Sequence, residues 1–251
     1  MKINNLVCLL LVSTSFLTVS CNKKFLDQVP SDLITIEQVF ERRRYSEEYL
    51  ANIYNTIPNE AYRNTSPWEG CSDDADITYD RPGSGYNTYP MNLGNWSAAS
   101  DYMNNWTKFY QGIRSATYFI QHIDDNKEIR ELPNGQELID QYKAEARFLR
   151  AFFYYGIIRQ YGPAILLGDT PIAGDLSPTD EEMQQPRNSY DECVDYIVSE
   201  LDLAAQKLPK HCTAQGENDY GRATQAACKA IKSRVLLLAA SPQFNGNADY
   251  A

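Results

Sequence analysis

The segment IDQYKAEARFLRAFFYYGIIRQYG, residues 139–162, constrains the fold more strongly than any other part of the chain. From Phe148 to Ile158 it is apolar on nearly every face of a helix. A helix that is apolar all round has to be buried, because a surface helix needs a polar face toward water. The sequence therefore predicts a central helix with neighbouring helices on most of its sides.

Three other segments have the pattern expected of those neighbours. Residues 101–124, 189–209 and 224–242 each repeat apolar side chains at intervals of three and four, which places these side chains on one helix face. Ser189 and Glu192 form a capping box at the start of the second segment, and prolines end the second and third. Each segment therefore predicts a helix with an apolar face.

A fifth helix is predicted near the start of the chain, from a capping box at Thr35 and Gln38 through Tyr54 to Pro58. Between the helices, no alternating run is longer than about four residues, so there is no strand pattern of ordinary length. Large aromatic and small alanine positions recur along the helices at irregular spacing. These features favour a mainly α fold, an irregular tetratricopeptide-like helical-repeat assembly, over a plain bundle.

Residues 58–101 differ in composition from the rest of the chain. They contain six aromatic residues, four prolines and four glycines, but only two branched aliphatic residues. A stretch this poor in aliphatic residues cannot form its own core, and it is too aromatic for a solvated linker. We expect an ordered loop that lies over the helices, and we call residues 58–101 the excursion.

Residues 1–20 have the features of a secretory signal, since a lysine precedes a short apolar run that is too brief to span a membrane. The following sequence TVSC, residues 18–21, resembles a bacterial lipobox, although Thr18 stands where leucine is usual. This predicts a lipoprotein signal peptide over 1–20, a lipidated Cys21 and a tether over 21–34. The alternative is an ordinary signal peptide followed by an incidental cysteine.

The remaining sequence argues against a membrane span and a nucleic-acid partner. No later segment reaches about 18 consecutive apolar residues, so we expect the rest to be soluble and attached to the membrane only through the lipid anchor. The net charge is −10, and the one basic run, residues 42–44, is followed by two glutamates. Nucleic-acid binding needs a concentrated basic face. The run is better explained as a solvated helix face.

Four cysteines remain after the signal and Cys21: Cys71, Cys193, Cys212 and Cys228. In an exported protein they can form disulfides, and three pairings are possible. No Cys-x-x-Cys pair is present, so the sequence gives little support to a zinc or thioredoxin-like site. Cys193 and Cys228 lie on apolar helix faces, which favours small buried side chains at these two positions.

Motifs for catalysis are missing from the sequence. It contains no His-Glu-x-x-His, no Gly-x-Ser-x-Gly and no Gly-x-x-x-x-Gly-Lys-Ser/Thr. A pair of carboxylates could hydrolyse a glycosidic bond, but such a pair cannot be located in one sequence. We therefore favour a protein that is not an enzyme and that needs no cofactor.

The excursion has the residue types of a carbohydrate site. Sugar rings present apolar C–H faces and a rim of hydroxyls, which suit exposed aromatic platforms beside a few polar side chains. The alternative is that these aromatic side chains only anchor a long loop to the helices beneath. The candidate platforms and hydroxyl partners are Trp68, Trp96, Tyr79, Tyr86, Asp73, Asp74, Arg81 and Asn95.

The acidic stretch SDDADITYD, residues 72–80, resembles a calcium loop in its density of acidic side chains. Asp74 and Asp76 have the initial spacing of an EF-hand loop. The turn glycine and the final glutamate of that loop are absent, which favours a solvated acidic turn and no metal site.

Several stretches together resemble the SusD-like (RagB/SusD) outer-membrane lipoproteins. CNKKFLDQVPSDLITIEQVF, residues 21–40, is similar to the start of the mature family members. AEARFLRAFFYYGIIRQYGPAILL, residues 144–167, resembles their central helix and its strand-like exit, and GRATQAACKAIKSRVLLLAASP, residues 221–242, resembles a later helix. Residues 35–251 then correspond to the N-terminal helical region of the family, whose members usually run to about twice this length.

The resemblance implies an outer-membrane lipoprotein, anchored by Cys21 and facing the exterior, that binds a polysaccharide or oligosaccharide. It also implies a partner, a TonB-dependent (SusC-like) transporter, to which the ligand is handed. The alternative function is a helical-repeat adaptor, or a transporter lid without its own ligand site. Deletion of residues 60–98 would spare binding by an adaptor and abolish binding of a glycan.

Overall fold

The computed structural model describes most of the chain beyond the N-terminal region. The chain divides into two units, Met1–Gln38 and Val39–Ala251, and the packing reported below is that of the second. The predicted signal peptide, Cys21 and the tether lie outside the described residues. The described residues are 36–60, 67–73, 88–97, 99, 103–170, 177, 179–211 and 220–246.

Across these ranges the structure is mainly α-helical and contains no β-strand, which confirms the predicted fold class. Two short 3-10 turns, Ile123–Asp125 and Glu181–Met183, accompany the α-helices. The α-helices are α1 Ile36–Glu41, α2 Arg43–Tyr54, α3 Pro67–Gly70, α4 Thr88–Asn92, α5 Trp106–His122, α6 Lys127–Arg130, α7 Gly135–Tyr161, α8 Tyr190–Ala205 and α9 Gln225–Ala239.

Helix α7 is the predicted central helix. It packs against α5 and α8 along much of its length and also contacts α2, α6 and α9. Sixteen of its 27 residues are buried, including Phe153, Tyr154 and Ile157. The apolar character around its whole circumference is therefore matched by neighbours on several sides, as the sequence predicted.

Glycine and phenylalanine pack reciprocally where α5 crosses α7. Gly112 of α5 lies against the ring of Phe153 of α7, and Gly156 of α7 lies against the ring of Phe109 of α5. A Cβ on Gly156 would come within 2.7 Å of the Phe109 ring, and one on Gly112 within 2.6 Å of the Phe153 ring. Both rings are buried, so the two glycines set how closely the helices approach.

The Gly156→Ala substitution tests this close contact. Alanine favours a helix over glycine by about 1 kcal/mol, but overpacking a close-packed core costs about 1–3 kcal/mol. We expect a net loss of stability of up to about 2 kcal/mol, measured by urea unfolding. Gly112→Ala should behave in the same way. Equal or greater stability of both variants would show that the rings move aside without cost.

The N-terminal helix prediction was wrong in one respect, since α1 and α2 are separate helices. Arg42 between them has an extended backbone (φ −112°, ψ 129°). The carboxylate of Glu128 in α6 accepts hydrogen bonds from the backbone N–H of Arg43 at 2.8 Å and from Arg42 Nη1 at 2.6 Å. It therefore caps α2 from another element, which a local pattern cannot reveal. The predicted cap residue Thr35 lies outside the described residues.

Helix α8 begins with the predicted capping box. The Glu192 backbone N–H donates to Ser189 Oγ at 3.2 Å, and the Ser189 N–H donates to the Glu192 carboxylate at 2.7 Å. The Ser189 hydroxyl also donates to this carboxylate, at 2.8 Å. The bonds from the Ser189 N–H and hydroxyl hold the pKa of Glu192 below its usual value. The helix ends at Ala205, four residues before the proline that was expected to end it.

Helix α9 is less buried than its apolar sequence suggests. Its N-cap is Thr224, whose hydroxyl accepts the Ala227 N–H at 3.2 Å. Within α9 only Cys228 and Val235 are buried, and Leu237 is 74% exposed. Because α9 packs mainly on α8, several residues on its opposite face are exposed.

The segment after α7 does not form the strand-like exit that was expected. The backbone N–H groups of Ile165 and Leu167 donate to the hydroxyls of Tyr110 and Tyr154 at 2.8 and 3.0 Å. Leu166 N–H donates to Asn188 Oδ1 at 2.9 Å. Side chains thus take the place of a neighbouring strand and satisfy these half-buried backbone groups.

Two clusters of buried charge join the helices. Arg150 of α7 is completely buried, and it binds the carboxylate of Glu200 in α8 through Nε at 3.0 Å and Nη2 at 2.6 Å. Glu145 of α7, also buried, accepts three contacts of 2.8 to 3.1 Å from the Arg222 guanidinium and one of 2.8 Å from the Tyr54 hydroxyl. Each cluster pairs an arginine with a glutamate, as buried charge requires.

Cys193 and Cys228 are buried, as predicted, and neither forms a disulfide. Burial raises the pKa of the Cys228 thiol to about 11, so its thiolate is scarce at neutral pH. Cys71 is also a free thiol, and Cys212 lies outside the described residues.

Of the helices that the structure describes, none is long and apolar enough to cross a membrane.

Candidate functional site

Both ends of the excursion are attached to the last turn of α7. Arg159 forms an ion pair with Glu60 at the start of the excursion. The next two residues, Gln160 and Tyr161, both donate side-chain hydrogen bonds to the backbone carbonyl of Met103, two residues beyond the end of the excursion, at 2.7 and 3.3 Å. Three consecutive residues of the buried helix therefore fix the points where the excursion leaves and rejoins the helices.

The two short helices of the excursion, α3 and α4, are joined to each other. Asn92 Nδ2 in α4 donates a hydrogen bond to the Gly70 carbonyl in α3 at 2.7 Å. Gly70 also lies so close to the side chain of Thr88 that an added Cβ would be 3.0 Å from Thr88 Cγ2. Because α3 and α4 contact each other, Trp68 on α3 and the residues that follow α4 belong to the same pair of helices.

The turn after α4 directs Asn95 and Trp96 outward. The Asn95 N–H donates to the Pro90 carbonyl and the Gly94 N–H to the Met91 carbonyl, both at 2.9 Å. With Gly94 at φ 75°, this is a Schellman motif, whose left-handed position favours glycine. Asn95 is exposed, and Trp96 is 60% exposed. An exposed tryptophan on a hydrogen-bonded turn is a suitable platform for an apolar ring face.

Trp68 is both an anchor and an exposed side chain. The Arg159 guanidinium carbon lies 4.0 Å from the centre of the Trp68 ring, a distance typical of a cation–π contact. Trp68 nevertheless remains 39% exposed. The two explanations given above for these aromatics, ligand platform and loop anchor, are therefore compatible at this position.

The other predicted site residues divide into two groups. Asp73 is exposed, three residues beyond Gly70. The remaining candidates, and Asp76 of the acidic stretch, lie outside the described residues: Asp74, Tyr79, Arg81 and Tyr86 among the candidates. Within the ranges that the structure does describe, no cluster of three histidine, cysteine or acidic side chains has the geometry to hold a metal ion.

Sequence reasoning missed Arg159 and Glu60 as parts of this region. Arg159 interrupts the end of an apolar helix, and an isolated charge in such a segment was the available signal. Its partners, however, lie 91 and 99 residues away, so only the tertiary structure identifies them. The structure thus adds an ion pair and a stacked guanidinium beneath the predicted aromatic platform.

These features define a class of structure. It is a helical-repeat scaffold around one buried helix, with an attached loop that exposes tryptophans. A family model described as "Starch-binding associating with outer membrane" matches residues 24–237. The chain therefore belongs to the SusD-like family, which confirms the resemblance found in the sequence.

Individual relatives agree with this assignment. A SusD-like protein of Bacteroides ovatus is 25% identical over 245 residues, which are 96% of this chain and 41% of the relative. The crystal structure of a SusD-like protein from Bacteroides fragilis is 25% identical and superposes with a TM-score of 0.66, covering 85% of this chain and 38% of that one.

A third protein, described as a laminarin binding SusD-like protein, has the same fold with a TM-score of 0.60 at 19% identity. It matches 81% of this chain and 42% of its own length. The chain thus spans about two-fifths of the length of the relatives it matches.

Proposed function

We propose that this chain captures a polysaccharide or oligosaccharide at the outer membrane and passes it to a TonB-dependent transporter. The exposed tryptophans, Trp68 and Trp96, are the observation that carries the proposal. Trp68 lies on α3, and Trp96 lies on the turn that follows α4. These two short helices are hydrogen-bonded to each other, and Arg159 of the buried helix α7 contacts the excursion through Glu60 and Trp68. A preorganised pair of aromatic platforms reduces the entropy lost when a sugar chain binds.

The comparisons support the glycan ligand and the outer-membrane location in this proposal. The family model carries the description of starch binding and association with the outer membrane, and one structural relative is described as laminarin binding. Cys21 would supply the lipid anchor, and the chain from residue 22 would face the exterior. The mechanism is binding and handover without bond making.

The required affinity is modest. A millimolar site corresponds to about −4 kcal/mol, and repeated contacts along one polymer raise the effective affinity without new interactions. Asp73 and Asn95 are exposed near the two tryptophans in sequence and are the described candidates for hydroxyl contacts. Asp74, Tyr79, Arg81 and Tyr86 are proposed to complete the site.

A second function, that of a protein-binding adaptor or transporter lid, has one observation in its favour. Leu236 and Leu237 of α9 are 45% and 74% exposed. Two consecutive exposed leucines add to the apolar surface of α9, and a contiguous exposed apolar patch is typical of protein contacts. This function would not depend on Trp68 or Trp96, which separates it from glycan capture.

Retardation of the chain from residue 22 in gels that contain laminarin or soluble starch tests the proposal. We expect retardation in at least one gel, and we expect Trp68→Ala together with Trp96→Ala to abolish it, since each stacking ring contributes about tenfold in affinity. Tyr220→Ala is the matched control, because Tyr220 is an aromatic residue that is 87% exposed outside the excursion.

Loss of retardation in the double variant, with an unchanged melting temperature and normal retardation of the control, would support glycan binding on the excursion. Normal retardation of the double variant would contradict the location of the site. Absence of retardation by laminarin, starch and a wider panel of polysaccharides would contradict glycan capture by this part of the protein and favour the adaptor or lid.

A further inference from the structure

We propose that Arg159 is a positioning residue of the ligand site, which holds Trp68 so that one face of its indole ring is offered to a sugar ring. This inference rests on the proposed function and adds a residue that the sequence did not indicate. It also defines the ligand contact at Trp68 as stacking on a single ring face.

The first argument is geometric. The guanidinium carbon of Arg159 is 4.0 Å from the centre of the Trp68 ring and 5.4 Å from that of Tyr155, one helical turn earlier on α7. The guanidinium therefore connects the excursion to an aromatic residue of the buried helix. With the cation against one face of the indole, only the opposite face and the edge of Trp68 are open to a ligand.

The second argument is that Arg159 itself is held in place. It lies in the last turn of α7, its side chain is 16% exposed, and it is paired with Glu60. This pairing neutralises the charge, so attraction of an anionic ligand is not its role. The Nε atom is buried and has no hydrogen-bond partner among the described residues, which leaves the stacked face as the main interaction of that end of the guanidinium.

The third argument is the chemistry of the guanidinium. It is planar and weakly hydrated, so it can lie flat on an indole ring and still bind a carboxylate at its edge. A lysine ammonium at this position can keep the ion pair with Glu60 but cannot form the planar stack. Arg159→Lys therefore separates the stack from the charge.

The chain contains a matched control for this substitution. Arg187 lies over Trp106 with its guanidinium carbon 4.8 Å from the ring centre. Trp106 also packs edge-on against Tyr161, with ring centres 5.4 Å apart, so it belongs to the helix packing at the end of α7. Arg187 Nη1 also donates to the Tyr161 and Pro163 carbonyls, at 2.9 and 3.2 Å. Arg187→Lys therefore disturbs a comparable arginine–tryptophan contact outside the proposed site.

The experiment measures retention of the chain from residue 22 in laminarin and soluble starch gels, with Arg159→Lys, Arg187→Lys and Trp68→Ala compared in parallel. We expect Arg159→Lys to weaken retention about fivefold, because an ammonium cannot replace the planar stack of the guanidinium on the indole ring. Arg187→Lys should bind like the unchanged protein, and Trp68→Ala should bind more weakly than Arg159→Lys.

Fluorescence anisotropy supplies a readout that a purely structural role would not give. One background retains only Trp68, through Trp96→Phe and Trp106→Phe, and a second retains only Trp106, through Trp68→Phe and Trp96→Phe. In the first background Arg159→Lys should increase the local mobility of the indole. In the second it should leave the Trp106 anisotropy unchanged, because a positioning role acts on Trp68 alone.

The outcomes separate this inference from the function on which it rests. Full retention of Arg159→Lys alongside weak binding by Trp68→Ala would overturn the role of Arg159 and support the glycan site. Equal increases in mobility at Trp68 and Trp106 would overturn positioning in favour of general loosening of α7. If no variant changes retention, or if nothing is retained, both the positioning role and the glycan site on the excursion are overturned.

Discussion

Replacing Arg150 by methionine is expected to lower the free energy of unfolding by about 3–5 kcal/mol, the usual cost of leaving a buried charge without its partner. Arg150 is completely buried and contacts three other elements. Its guanidinium binds Glu200 of α8 through two nitrogens, Asp169 at 2.7 Å and the Thr117 hydroxyl of α5 at 3.1 Å. Methionine fills a similar volume but makes none of these hydrogen bonds.

The electrostatic balance explains why the arginine is tolerated in the core. Burial alone would lower the pKa of Arg150, but the carboxylate of Glu200 raises it, and the net shift is upward. Without Arg150, the Glu200 carboxylate would remain 5% exposed with only Arg147, whose Nη1 lies 2.6 Å away, as a cationic partner. The ion pair between Glu200 and Arg147 would then have to offset the whole desolvation free energy of the buried carboxylate.

Thermal and urea unfolding of Arg150→Met provide the measurement. For a domain of this size the expected change corresponds to a fall in melting temperature of about 10 °C. Arg44→Met is the control, because Arg44 forms an exposed ion pair with Glu48 and such pairs contribute about 0.3–0.5 kcal/mol. Similar stabilities of the two variants would show that Arg150 contributes no more than a surface pair.

Replacing Glu145 by leucine is expected to destabilise the fold by about 3 kcal/mol, near the lower end of the range for a broken buried pair. The lower value follows from the Arg222 side chain, which is 27% exposed and can be partly hydrated. Glu145 lies on α7, and it connects Arg222, just before α9, to the Tyr54 hydroxyl of α2. Its loss therefore weakens the attachment of two helices to the central one.

A double-mutant cycle with Arg222→Met isolates the pair itself. We expect the double variant to be more stable than Glu145→Leu alone, because neither side leaves an unpaired charge. Hydrogen exchange at the Ala223 amide gives a local measure, since this N–H donates to the Tyr54 hydroxyl at 2.9 Å. Additive effects of the two substitutions, or unchanged exchange at Ala223, would contradict a coupled network.

Much of the helical fold could be predicted because its information is local. The apolar period located α5, α7, α8 and α9, and the Ser189–Glu192 box marked the start of α8 within one residue. The break between α1 and α2 could not be predicted, since the carboxylate that caps α2 belongs to Glu128, 85 residues along the chain. Local rules fail where a distant side chain supplies the decisive hydrogen bond.

The sequence could predict the candidate site only from the residue composition of the excursion. The aromatic and polar bias of the excursion indicated Trp68 and Trp96, and both are exposed in the structure. It did not show that α3 and α4 are joined through Asn92, or that Arg159 covers one face of Trp68. These contacts join residues that no period or motif relates.

By itself, the sequence determined the helical class, the central helix and the aromatic character of the excursion, because periodicity and composition act through neighbouring residues. It also carried the SusD-like landmarks that the family match confirms. Only the tertiary structure decided which charges are buried in pairs, how α5 and α7 approach, and where the excursion is fastened. The physical reason is that buried charge and close packing depend on partners brought together by folding, and their positions along the chain do not identify them.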